Sequence, residues 1–168
     1  MMAAAGTLIE RLDANTTTVC DDITLRIVRE PRQKLEPASE GEPADLPEAE
    51  AKWVGRCRAL GADKLRAWGL SSLAESAQLL ISELVTNALR HGESTEVGVR
   101  LLITMDVVVI EVHDGSPDLP HVRHAGPDEE SGRGMLLVDV IAESWGVSPD
   151  GTRTWCALST SPLPRGSR

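Results

Sequence analysis

Ile81-Ser82-Glu83-Leu84-Val85-Thr86-Asn87-Ala88-Leu89-Arg90-His91-Gly92 decides how the chain is read. Extended backwards, its apolar residues Leu73, Ala77, Leu80, Ile81, Leu84, Val85 and Ala88 recur at the helical period. That pattern predicts a helix over 72–91 with one stripe against a core, closed by Gly92 as a C′ residue, the position where glycine commonly turns left-handed. Glu83 and Asn87 are four apart and therefore lie one above the other, at the border of the stripe. A carboxylate and an amide there look over the edge of a pocket, although an isolated pair of this spacing is more often a solvated rim. His91 falls on the apolar side and reads as a packing and capping residue.

Upstream, a helix is expected to begin near Pro47, since proline suits a first turn and Glu48 and Glu50 suit the positive end of the dipole. It runs through Trp53, Val54, Cys57 and Leu60 and breaks near Gly61; a shorter helical piece over 63–68 ends at Gly69. Residues 36–47 hold Pro37, Pro43, Pro47 and several acids, and read as an exposed loop. Before them, Ile23, Leu25 and Ile27 alternate with Thr24, Arg26 and Val28 as a first strand. Downstream, 96–104 and 107–112 read as a hairpin about Met105-Asp106. Residues 114–134 are irregular, and a stretch that long fits a compact domain only as a functional lid. A helix over 135–142 follows, then strands at 144–147 and 153–159 around Pro149-Asp150-Gly151. The sum is one α/β domain, a sheet covered by helices, spanning 21–160 between flexible ends at 1–20 and 161–168.

Composition narrows the function. Lys and Arg total 17 against 26 Asp and Glu, a formal net charge of −9 over 168 residues. An acidic chain lacks the cations that nucleic acid or an anionic membrane demands. With four Trp but no Phe and no Tyr, stacking platforms for single strands are scarce. Cys20, Cys57 and Cys156 are odd in number and far apart, which suits neither a disulfide framework nor a zinc ribbon. No signal peptide and no membrane-length apolar run stands out. A soluble, cytoplasmic protein is expected.

Three further places could carry chemistry. Val109-Ile110-Glu111-Val112-His113-Asp114 is a strand that ends on an acid at the mouth of the sheet, placed to accept from a ligand N–H. Gly132-Arg133-Gly134 opens a helix, where backbone N–H groups can approach phosphate oxygens. Asp150-Gly151-Thr152 precedes the last strand. Each alone passes for an ordinary turn or helix start. The pair His121-x-x-His124 has no third ligand nearby for a metal.

In this order and spacing, however, they resemble a known family. The 81–92 segment is similar to the N box of the histidine-kinase-like (GHKL, Bergerat-fold) ATPases. Asp114-Gly115-Ser116-Pro117-Asp118-Leu119-Pro120 resembles the aspartate box in the form carried by anti-sigma-factor serine/threonine kinases. Gly132-Arg133-Gly134-Met135-Leu136-Leu137-Val138, with Trp145-Gly146-Val147 behind it, resembles their glycine box, and Gly151-Thr152-Arg153-Thr154-Trp155 their closing strand motif. The resemblance covers residues 23–158.

It implies a two-layer α/β sandwich with a mixed, mostly antiparallel sheet and helices on one face. It implies ATP and Mg²⁺ as cofactors. Asn87 would offer its amide oxygen to the Mg²⁺, and Glu83 would act as general base. Asp114 would accept from the adenine amino group and Thr152 would support that end. Gly132 and Gly134 would let the lid backbone close over the phosphates; Arg133 either adds charge there or is solvated. The partners implied are an anti-sigma-factor antagonist and a sigma factor, with a homodimer through the sheet edge near the first strand. Ser116-Pro117 departs from the glycines that histidine kinases carry after the aspartate, and Asp128, Glu129 and Glu130 make the lid acidic. These departures support the alternative of a catalytically weak module that sequesters a protein partner. A stand-alone nucleotide hydrolase is a third reading.

Overall fold

The computed structural model describes residues 19–29, 46–92, 94–114 and 130–161. Alternation makes β1 (Asp21–Val28) a strand whose Ile23, Leu25 and Ile27 face the core. Then come α1 (Glu48–Ala67), a 3₁₀ turn (Ser71–Leu73) leading into α2 (Ala74–His91), and the hairpin β2 (Glu96–Ile103) and β3 (Val107–His113). Last are α3 (Glu130–Ile141), β4 (Ser144–Val147) and β5 (Arg153–Ser159). Among the described residues the five strands lie in the order β1-β2-β3-β5-β4. Every neighbouring pair is antiparallel, so the mixed sheet expected above is corrected. The cause is topological: α3 delivers the chain to the sheet's edge as β4, and β5 folds back between β4 and β3.

The period of two sorts the strand residues onto two faces. Val97, Val99 and Leu101 of β2, Val108, Ile110 and Val112 of β3, and Cys156 and Leu158 of β5 meet the helices in one core. From the helices come Cys57, Leu65, Leu80, Ile81, Leu84, Val85, Met135 and Val138. The opposite face carries a smaller cluster of Leu102, Val109, Trp155 and Ala157. Trp155 is fully buried there, its ring lying over Gly146. Both Trp145 and Trp155 join the apolar clusters, on opposite faces of the sheet.

Three boundaries differ from the sequence expectation. α1 does not break at Gly61; it is one helix from Glu48 to Ala67. The missing side chain at Gly61 receives Ile81 Cδ1 of α2, so this glycine is a contact between helices and not a stop. α1 ends instead at Gly69, φ +77°, with the Leu70 amide donating to Leu65 O at 2.8 Å and the Gly69 amide to Arg66 O at 3.0 Å. That is the paired closure of a left-handed glycine cap.

α2 ends differently. Gly92 has φ −74° and ψ 141°, an extended conformation, so it is no left-handed cap. Arg29, the residue after β1, reaches this end: Nη1 donates to the terminal helix carbonyl Leu89 O at 2.6 Å and Nη2 to Gly92 O just beyond it. The Arg29 side chain is buried, and His91 is exposed instead of packed.

α3 starts at Glu130, five residues before the expected 135. Glycines lower helix propensity by about 1 kcal/mol each, which placed the boundary after them; tertiary packing against α2 overrides that preference. Gly132-Arg133-Gly134 therefore lies inside the first turns of α3 and not ahead of it.

β1 is tied to α1 at both ends. Lys64 Nζ lies 3.0 Å from Asp21 Oδ2, to which Trp68 Nε1 donates at 2.9 Å. These bonds pull the Asp21 carboxyl down to about 2. At the other end Arg29 Nη1 lies 3.5 Å from Glu50 Oε1. The expected loop over 36–47 falls outside the described residues except for 46 and 47, as do the ends at 1–18 and 162–168.

Candidate functional site

α2 is the spine of the site. Its apolar stripe faces the sheet, which leaves Glu83 and Asn87 half-buried on the flank toward α3. There α3 approaches closely through Gly134. A Cβ at Gly134 would collide with Glu83 Oε2; it would lie 3.4 Å from Glu83 Cδ and 3.9 Å from Asn87 Nδ2. Three of the expected site residues are thus together, and the absence of a side chain at Gly134 is what makes room for the carboxylate.

Burial raises the Glu83 carboxyl above its ordinary value, while the positive charge of Arg90 pulls it back. Desolvation disfavours a charged carboxylate, and a nearby cation favours it. Arg90 stands in the quoted 81–92 segment, but its sequence pattern alone gave it no role. The available signal was its position three residues after Asn87 and seven after Glu83, on one side of the helix.

The second group lies at the end of α2, about 6 Å of helical rise beyond Asn87. A Cβ at Gly92 would stand 2.5 Å from Ala88 O and 3.3 Å from Asp114 Cβ. Glycine is required here by close approach, and its consequence is that Asp114 sits directly against the end of α2. Asp114 follows β3, and its amide donates to Thr152 O at 3.2 Å. Thr152 meets Asp114 through its backbone. Its hydroxyl donates to Asp150 Oδ1 at 2.8 Å, inside the turn that closes on Gly151 at φ +75°. The same Asp150 oxygen accepts from Ser148 Oγ at 2.5 Å and from the Thr152 amide at 3.1 Å; these bonds hold the carboxyl down at about 2.

The fold therefore brings Glu83, Asn87 and Gly134 together at one place, and Asp114 and Thr152 at another, joined by the last turns of α2. Gly132 and Arg133 fall in the first turn of α3 on the Gly134 side. Gly115, Ser116-Pro117, the acids at 128 and 129 and His121-x-x-His124 lie outside the described residues. Among the described residues no group of three or more His, Cys, Asp or Glu is arranged to hold a metal ion. Asn87 fits a magnesium site through the chemistry of its amide, a hard oxygen donor of the kind that ion takes alongside phosphates and water. Cys20, Cys57 and Cys156 are all free. Burial pushes the Cys57 thiol up to about 11 and that of Cys156 to about 12, which leaves neither as a thiolate nucleophile at neutral pH. No described helix is long and apolar enough to cross a membrane.

No curated protein matches the chain. The family model for the histidine kinase-like ATPase domain matches residues 46–158, from the start of α1 through most of β5. Those residues include both groups of the site, and they make up well over half of the 168-residue chain. With the two-layer sandwich and the Glu83–Asn87 flank in place, the chain belongs to the histidine kinase-like ATPase domain family, an assignment that supports ATP as its ligand.

Proposed function

We propose that the protein is an ATP-dependent serine/threonine kinase of the anti-sigma-factor type, which phosphorylates an anti-sigma-factor antagonist and regulates a sigma factor by partner switching. The observation that carries this reading is the Glu83 carboxylate. It sits beside Gly134, one helical turn from Asn87, and desolvation raises its affinity for a proton. A base needs that affinity, and the positive charge of Arg90 offsets part of the rise.

In this reading the adenine lies at Asp114 and the phosphates at the Glu83–Asn87 end. Glu83 accepts the proton of a serine hydroxyl as its oxygen bonds to the γ-phosphorus, and the bond to ADP breaks. Asn87 would hold Mg²⁺, which when bound neutralises phosphate charge. The chain's own contribution is to position the base, to orient the nucleotide, and to limit water around Glu83.

The test is incubation with Mg-ATP and candidate antagonist proteins. Phosphate should appear on the antagonist, and Glu83→Ala should slow transfer by about 10²–10⁴-fold. Equal transfer by Glu83→Ala would remove Glu83 as the base. ATP binding without transfer to any antagonist would favour the sequestering module, and steady phosphate release without a partner would favour the hydrolase.

A further inference from the structure

Arg29 follows β1, outside the residues matched by the family model. Its side chain is only 4% exposed. Nη1 donates to Leu89 O at 2.6 Å, Nε to Ser94 O at 2.8 Å, and Nη2 to Gly92 O. Its own amide donates to Thr95 O at 2.9 Å. One guanidinium thus grips three carbonyls, one in the last turn of α2 and two in the connection to β2. Glu50 of α1, 3.5 Å away, holds it in turn.

Gly92 is the middle of the gripped segment, and it touches both parties. A Cβ at Gly92 would lie 3.5 Å from Arg29 Nη2 and 3.3 Å from Asp114 Cβ. We infer that Arg29 is a positioning residue of the nucleotide site: by fixing the Gly92 peptide it sets the wall against which Asp114 is presented to the base. This rests on the proposed reading that Asp114 accepts from the adenine amino group, and it makes a β1-side residue a determinant of base selectivity.

The grip depends on geometry more than on charge. A guanidinium offers several donors in a fixed fork, whereas an ammonium is a point charge on a flexible stem. Arg29→Lys therefore keeps the charge opposite Glu50 and loses the fork. Glu50→Gln is the milder change, since it leaves the fork and removes its ionic anchor.

The experiment is equilibrium binding of ATP and of GTP to the full chain in wild type, Arg29→Lys and Glu50→Gln, with thermal melts alongside. Guanine carries an oxo group where adenine carries the amino donor, so the ATP-to-GTP affinity ratio reads the placement of Asp114. A loss of folded fraction scales both affinities equally and leaves the ratio unchanged. The wild type should prefer ATP. Arg29→Lys should lower the ratio about tenfold, as misplacement of a charged hydrogen-bond acceptor would, and Glu50→Gln should lower it less. Lowered melting temperatures with an unchanged ratio in both variants would overturn the inference and leave Arg29 a purely structural clamp. Should Arg29→Lys fail to fold, the ratio in Glu50→Gln decides by the same criterion. A wild type that binds neither nucleotide would refute the nucleotide reading and this inference with it, an outcome distinct from a selective wild type with unaltered variants.

Discussion

Glu83 carries opposite demands at one residue. Packing against Gly134 strips water from the carboxylate and raises its pKa, and Arg90 offsets part of that rise. A carboxyl raised in the fold contributes stability only while protonated, below the ordinary Glu range of about 4.3; the contribution is lost as pH rises through the folded value. Once the side chain is ionised, its burial therefore costs stability. Glu83→Gln should raise the melting temperature at pH 7, by about 2–4 °C for each kcal/mol that the buried charge costs in a chain of this size, while phosphotransfer is slowed as in Glu83→Ala. The gain should vanish below about pH 4, where the carboxyl is neutral in both states. A lower melting temperature at pH 7 would show that the charge is stabilised where it stands. The pairing of Glu83 with Asn87 was legible from a spacing of four. The contact with Gly134 was not, since no local rule relates residues 51 positions apart.

At the scale of elements, glycines with the same letter do different work. Gly55 and Gly61 both lie within α1, yet nothing stands within 4 Å of a Cβ at Gly55, whereas one at Gly61 runs into Ile81. Gly55→Ala should stabilise by about 0.5–1 kcal/mol through helix propensity. Gly61→Leu should destabilise by about 1–3 kcal/mol through overpacking between α1 and α2. Urea unfolding of the two variants checks the pair, and equal signs would contradict the helix contact. The same contrast explains what the sequence reading misplaced. Gly69 ends a helix by its positive φ, as glycine after a periodic run suggests. Gly92 ends one in an extended conformation, where a distant arginine takes the Leu89 carbonyl that a left-handed turn would otherwise satisfy. The glycines at 132 and 134 read as a helix boundary by propensity, but contact with α2 makes them helical.

For the whole molecule, the sheet brings together residues from chain segments far apart. β3 carries Asp114 to the end of α2, and the turn before β5 brings Thr152 to its amide. A ligand that bridges these segments stabilises the native state by mass action. ATP with Mg²⁺ at a hundredfold excess over Kd should add about 2.7 kcal/mol, a rise of roughly 5–11 °C in the melting temperature. No shift at millimolar nucleotide would count against ATP as the ligand. An acidic chain gathers little cationic charge of its own for such a ligand. Of the positions near the site, Arg90 is the described side chain whose charge reaches Glu83.

By itself the sequence determined the elements that rest on local periodicity: the amphipathic α2, the hairpin of β2 and β3, the alternation of β1, and the carboxylate–amide pair on the border of the α2 stripe. Its motif order also determined the family. The tertiary structure alone decided how those elements end and meet. It made the sheet antiparallel throughout, kept α1 whole across Gly61, began α3 before its glycines, and closed α2 with Arg29. The physical reason is the same in each case. A helix end or a glycine has several satisfactory conformations locally, and the choice among them is made by a side chain or carbonyl that reaches it from a distant part of the chain.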